Sequence, residues 1–211
     1  MKKHSTGLFY VLFLCLLAGC VTQPAKKDLG AFVAAAPRSI LVVPAVNKTL
    51  DVDAPNYVLT TLPIPIAERG YYVFPVNTSK FVLEQEGYYE GEKIHEMPPE
   101  TLAKLFDADA ILYVTIHRWD AQYIVLTTQV TVEFEYRIVG RDGTELWKER
   151  QRLVYSPQNN SGGGLLGMLI NAALTRAAPN YMPLTRQANF QAFYGSGGIP
   201  DGPYKPKVEK K

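Results

Sequence analysis

Between Tyr123 and Val139 the sequence alternates. Ile124, Leu126, Thr128, Val130, Val132, Phe134, Tyr136 and Ile138 fall on one side of an extended chain. Tyr123, Val125, Thr127, Gln129, Thr131, Glu133, Glu135 and Arg137 fall on the other. A period of two over this length fits a strand and not a helix, because successive side chains of a strand point to opposite faces. It predicts an antiparallel strand with one buried and one wetter face. Arg141-Asp142-Gly143 reads as a hairpin turn, with Thr144–Tyr155 as the return strand. The chain must therefore build a sheet around this hairpin and cover one side of it.

Three more strands are expected upstream. Ser39–Val46 is continuously apolar, β-branched and closed by Pro44, and Tyr71–Val76 is similar but shorter. Ala108–Trp119 is apolar at nearly every position, which predicts a central strand. Helices are expected over Asn56–Gly70, bent or broken by Pro63 and Pro65, and over Thr78–Glu86, Pro98–Asp107 and Asn180–Tyr194. Asn47–Pro55 and Gly87–Met97 read as loops. Strand, helix, strand, helix, strand and hairpin give an α/β (α+β) domain. It holds a single mixed sheet of about five strands, parallel early and antiparallel late, with helices packed on it.

The N-terminus reads as an address. Lys2 and Lys3 precede the apolar run Leu8–Leu17, which is too short to span a bilayer as a helix and fits a secretory signal. Leu17-Ala18-Gly19-Cys20 resembles the bacterial lipobox. That resemblance implies cleavage after Gly19, then a diacylglycerol and an N-acyl chain on Cys20. Several acyl chains hold a protein on a membrane where one does not. Val21 after the cysteine favours the outer membrane by the sorting rule of such lipoproteins; the periplasmic face is expected, with surface exposure open. The expected organisation is 1–19 signal peptide, 20–38 lipidated Cys and tether, 39–194 globular α/β domain and 195–211 disordered tail. The second half of the tether, with Phe32 and Val33, is apolar enough to dock.

Charge and cysteine content narrow the function. The chain carries 22 Lys+Arg and 20 Asp+Glu, and the excess is Lys2 and Lys3. A neutral mature chain argues against nucleic-acid binding. The two cysteines are Cys15 and Cys20, so the mature domain has no thiol for a disulfide, a metal or a nucleophile. Only His95 and His117 remain as histidines, without zinc spacing. His95 is expected as a solvated loop residue and His117 as a sheet-edge group. Asp51 and Asp53 lack the rest of a calcium loop and read as a solvated turn. Gly162-Gly163-Gly164 lacks the Lys of a phosphate loop. No enzyme and no cofactor is expected beyond the lipid.

Leu165–Ala178 is apolar on nearly all sides. A helix of that kind must be buried on all sides. Either it packs within the domain or it contacts a partner or a second copy, with membrane-surface docking a third option. Its contact candidates are Leu165, Leu166, Met168, Leu169, Ile170 and Leu174.

Ile40-Leu41-Val42-Val43-Pro44 with Asn47 and Thr49 resembles the first-strand motif of TolB N-terminal and CsgG-like domains. Ile66-Ala67-Glu68-Arg69-Gly70-Tyr71 and Asp109-Ala110-Ile111-Leu112-Tyr113-Val114 resemble their later junction and third strand. The whole chain is similar to a family of outer-membrane lipoproteins of uncharacterised function, found beside CsgG-like lipoproteins and a second small lipoprotein. The resemblance implies a TolB N-terminal/CsgG-like fold and an accessory role in an envelope transport or secretion complex. Glu133, Glu135 and Arg137 on the outer hairpin face would be costly against lipid tails, which argues against a pore formed by this chain alone. Two other functions are compatible with the fold. One is an activator docking on a peptidoglycan synthase. The other is a small-ligand auxiliary of a transporter, with Tyr57, Tyr71, Tyr72 and Tyr113 lining a pocket.

Overall fold

Ile40, Leu41, Val42 and Val43 are all fully closed to solvent. Four consecutive buried positions require cover on both faces of a strand, and that is where this run lies. The computed structural model describes residues 27–124, 127–155 and 181–206. The expected signal peptide, Cys20, the glycine run 162–164 and the apolar segment 165–178 lie outside the described residues.

Strand β1 (Ser39–Val42) is paired in parallel with β3 (Tyr72–Val73) on one side and with β4 (Ala110–Ile124) on the other. Pro44 has no N–H to give to the ladder, so the expected Ser39–Val46 strand divides. Pairing with β4 resumes at β2 (Val46–Asn47). Strand β4 then runs antiparallel to β5 (Thr127–Gly140), and β5 to β6 (Glu145–Tyr155). The result is one mixed sheet in the order β3-β1-β4-β5-β6 with β2 also on β4, six strands in all.

Helices cover one face along its whole width. They are α1 (Gly30–Ala35), α2 (Ala54–Thr61), α3 (Pro63–Glu68) and, after the undescribed stretch, α7 (Met182–Tyr194). Phe32, Val58, Leu62, Ile66, Leu184 and Phe193 pack there against Val42, Leu112, Val132 and Phe134. On the opposite face, α4 (Val76–Gln85), α5 (Gly91–Glu96) and α6 (Pro99–Phe106) cover only the parallel half. Leu83, Ile94 and Leu102 meet Leu41, Val43, Ile111 and Tyr113. Burying a side chain of this size contributes about 1.5–3 kcal/mol.

Several expectations are corrected. The period-two run is not one strand: Tyr123 and Ile124 end β4, and Ile124 pairs with Thr127, so the chain reverses within the run and makes a three-stranded meander. Ile124 shares a face with its partner Thr127, so the alternation changes phase at the reversal, and the change is masked because Tyr123, Ile124, Val125 and Leu126 are all apolar. Residues 87–97 are not all loop, since Ile94 needs a core contact and supplies the anchor of α5. Only Tyr72–Val73 of the second strand is paired. The helix over Asn56–Gly70 does break at Pro63, as its prolines predict, into α2 and α3, and it begins earlier, at Ala54. The second half of the tether does dock, as α1, through the buried Phe32.

Residues 195–206, expected as disordered, pack on the domain. Ile199 is fully buried, and the N–H groups of Gly202 and Tyr204 donate to the carbonyls of Arg69 and Gly70 at 2.7 and 3.0 Å. These are carbonyls at the end of α3 that the helix itself leaves unused. Gly70 has φ +90°, and a Cβ there would sit 2.3 Å from the backbone nitrogen of Lys205. Only glycine permits both the turn and the close approach.

Candidate functional site

The antiparallel register sorts the polar residues of β4, β5 and β6 onto the face that α4–α6 leave open. Tyr113, Arg137 and Lys148 lie in one row, then Thr115, Glu135 and Arg150, then Arg118, Glu133 and Arg152, then Asp120, Thr131 and Val154. A register shift between Ile116 and Arg118 inserts His117 as a bulge. His117 follows Ile116, the last residue of β4 paired with β2, so β5 flanks it on one side and the other side borders the sheet edge. Five cationic side chains share this surface with three carboxylates.

Glu133 is the centre of the cluster. Its side chain is 11% exposed, whereas those of Arg118, Arg150 and Arg152 are 49%, 55% and 53% exposed. Arg150 donates to one carboxylate oxygen at 2.6 Å through Nη2 and 2.8 Å through Nε. Arg118 stands 3.5 Å and Arg152 4.0 Å from the other oxygen. In the next row Lys148 Nζ is 3.0 Å from Glu135. That hydrogen bond, helped by the lysine charge, holds the Glu135 carboxyl below the usual carboxylate range. His117 Nε2 lies 3.9 Å from Glu135, beyond hydrogen-bond distance, and has no hydrogen-bond partner among the described residues.

The other titratable groups are engaged in packing. His95 is not a solvated loop residue. It sits on α5, donates through Nε2 to the Pro44 carbonyl at 3.1 Å and meets the Tyr113 ring edge-on. Burial lowers its pKa to about 4, against the opposing effect of the Pro44 hydrogen bond. Asp51 is more than a solvated turn: Oδ2 accepts from Trp119 Nε1 at 3.0 Å. Trp119 is stacked between Tyr57 and Tyr181, at the end of the sheet where the chain enters and leaves the undescribed stretch. Asp109, expected at a helix-to-strand junction, accepts from the backbone N–H groups of Arg38 and Ser39. Among the described residues no three His, Cys, Asp or Glu side chains come together as a metal site.

The four tyrosines do not share a pocket. Tyr57 lies on Trp119, while Tyr71 packs on Phe32 and donates to the Pro200 carbonyl at 2.9 Å. Tyr113 is on the opposite face of the sheet, and Tyr72 is half exposed. An apolar cavity of about 240 Å³ does exist beside Tyr71, bounded by Phe32, Val33 and Pro200.

Of the site residues expected from the sequence, Cys20 and Leu165, Leu166, Met168, Leu169, Ile170 and Leu174 lie outside the described residues. The arginine cluster was missed. Alternation places Glu133, Glu135 and Arg137 on the wetter face, but the register that brings Arg118, Arg150 and Arg152 beside them comes only from pairing.

Residues 27–190 match the family model described as "Putative lipoprotein GNA1162-like". The chain belongs to this family. It is 35% identical to the protein described as "Putative lipoprotein NMB1124/NMB1162" of Neisseria meningitidis serogroup B, over 96% of each chain. The crystal structure of lipoprotein GNA1162 from Neisseria meningitidis is similar, with a TM-score of 0.57 and 37% identity. The match covers 65% of the present chain and 96% of that one. The mixed sheet with helices packed on it is therefore the fold of this lipoprotein family. No helix among the described residues is long and apolar enough to cross a membrane.

Proposed function

We infer that the protein is a lipid-anchored, non-catalytic accessory subunit of an envelope transport or secretion complex. Cys20 carries the diacylglycerol and N-acyl chains, and the outer membrane holds them. The partners are CsgG-like and small companion lipoproteins, with a second copy of the chain as a further candidate. Contact runs through Leu165–Ala178, led by Leu166 and Leu169.

The observation that supports this reading best is the way the ionisable groups are used. His95, Asp51 and Asp109 hold backbone or core groups in place, while the charged groups left over form an open sheet face and not a cleft. Family membership adds the lipoprotein character. Docking on a peptidoglycan synthase fits less well, since α1 is packed down and leaves little tether to cross the periplasm. A small-ligand role fits less well because the tyrosines are separated.

The test is a mild crosslink on intact cells, with capture through a tag after Lys211. Co-recovery of a CsgG-like lipoprotein in fixed ratio, lost in Leu166→Asp/Leu169→Asp with an unchanged circular dichroism spectrum, is the expected result. Recovery of a cell-wall synthase alone would replace this function with the activator role. If Leu166→Asp/Leu169→Asp unfolds the domain, the segment is core and the contact assignment fails.

A further inference from the structure

We propose that two copies of the chain interlock face to face about a two-fold axis along the strands, with the helix layer α4–α6 of each resting on the open half of the other's sheet. This contact is separate from the one assigned to Leu165–Ala178 and does not depend on it. Shape, charge and height along the strands all favour it.

One face of the sheet is a step. Over β1 and part of β4 it carries α4, α5 and α6, and over β5 and β6 no described helix covers it. The helix layer makes the step about 10 Å deep. A two-fold rotation about an axis parallel to the strands turns one such step onto another, so each helix layer enters the other's gap. The contact then closes on itself, as an isologous interface does. Three strands about 4.8 Å apart and four rows about 6.6 Å apart give an open area of roughly 350 Å². Each copy offers that area and covers its equal on the partner, so about 1,400 Å² is buried in all, within the range of specific, stable interfaces.

The two surfaces that meet carry opposite charge. Between Glu84 and Glu100 the chain has six glutamates and one lysine, Lys93. Glu86, Glu90, Glu92 and Glu96 are exposed on and beside α5. Glu92 and Glu96 have Lys48 and Lys93 near them, while among the described residues Glu86 and Glu90 have no cation within ion-pair distance. Tyr89, between them, is 73% exposed and suits an aromatic anchor. On the open face Lys148, Arg150 and Arg152 stand about half exposed along β6. Three guanidinium groups share the one carboxylate of Glu133, which leaves donors over for further carboxylates. The heights match as well. Rotation about an axis along the strands keeps each residue at its level along them. Through His95, α5 stands over Pro44 and Tyr113, while Lys148 is level with Tyr113 and Arg150 with Thr115. The acidic helix of one copy thus arrives at the basic rows of the other. Leu165–Ala178 has one charged residue, Arg176, and offers this face no acid.

The chain from residue 20 onward carrying Cys20→Ser, which has no lipid, is weighed in solution by light scattering at low and high salt. A dimer at low salt that dissociates at high salt is expected. Two variants reverse the charges: Glu86→Lys/Glu90→Lys on the acidic side, and Lys148→Glu/Arg152→Glu on the basic side, which leaves Arg118 and Arg150 on Glu133. Each sets like charges together in its own dimer and should raise the dissociation constant roughly a hundredfold or more. Mixed in equal amounts, the two should form a dimer of one copy each, because both of its contacts again join opposite charges. Glu90→Lys and Arg152→Glu repeat the pair with half the change, should either double variant lose the parent's circular dichroism spectrum. Leu166→Asp/Leu169→Asp should dimerise as the parent does, which separates this contact from the one assigned to that segment. A monomer at low salt, a dimer that neither charge variant weakens, or a mixture that stays monomeric overturns the proposal. A mixture that grows beyond a dimer also overturns it, in favour of head-to-tail assembly.

Discussion

Among the described residues, the sheet around β1 has helices on both sides and the sheet around β5 and β6 has them on one. The two halves share β4 and the same helix-covered face, so the difference between them lies on the other face. In the parallel half, Leu41, Val43 and Ile111 are closed under α4, α5 and α6. Two or three strands further along the same face stand Glu133, Arg150 and Arg152. The connections explain the contrast. A parallel crossover needs a long return path, and here that path is a helix layer, whereas a hairpin such as Arg141–Gly143 brings nothing with it. Among the described residues no helix covers this face, and its charged side chains are paired to one another around the buried Glu133.

If this contrast is right, substitutions on covered faces are costly and those on the open face are not. The largest effect is expected for Phe193→Ala on α7, which is fully buried and stacks on Trp147 with ring centres 5.4 Å apart. It should cost about 3–5 kcal/mol in urea unfolding.

Next comes acid pH acting on the helix layer of the parallel half. His95 has a folded pKa of about 4, below its ordinary 6.5. The unfolded chain therefore binds the extra proton first as pH falls. Stability from this group is fully present above about pH 6.5, declines between about 6.5 and 4, and levels off below. The loss is on the order of 3 kcal/mol. His95→Gln should flatten the difference in urea midpoint between pH 7 and pH 4.5, measured against the parent chain.

A smaller effect is expected at Asn189, which accepts from the Tyr136 hydroxyl at 2.7 Å and donates to Thr61 at 2.8 Å, all inside the core. Asn189→Ala leaves the buried Tyr136 hydroxyl without its acceptor, while Thr61 still donates to the Val58 carbonyl at 2.8 Å, and should cost about 1–3 kcal/mol by thermal or urea melts. The smallest is Arg118→Ala on the open face. With Glu133 still held by Arg150, the loss should stay within about 1 kcal/mol and shrink as salt is added. A loss as large as that at Phe193 would mean that the open face is part of the core.

The sequence made the covered face legible and the open one only in part. Val130, Val132, Phe134, Tyr136 and Ile138 alternate, and all are fully buried. The reversal at Ile124–Thr127 is hidden because Tyr123, Ile124, Val125 and Leu126 are all apolar, so the change of phase leaves no polar residue out of place. Residues 195–206 misled through composition: Gly, Pro and Lys reduce apolar content, yet the positions that matter are the buried Ile199 and the backbone of Gly202. His95 misled because its burial comes from Tyr113 and Pro44, both distant along the chain. The cluster around Glu133 depends on register, which no local pattern states.

The most direct test of the account places a charge on the same sheet face in its two halves. Ile111 is closed under α4–α6, and Val154 on β6 is 46% exposed. The account predicts that Ile111→Glu unfolds the domain or lowers its urea midpoint severely, while Val154→Glu shifts the midpoint little. Equal losses for the two variants would contradict it.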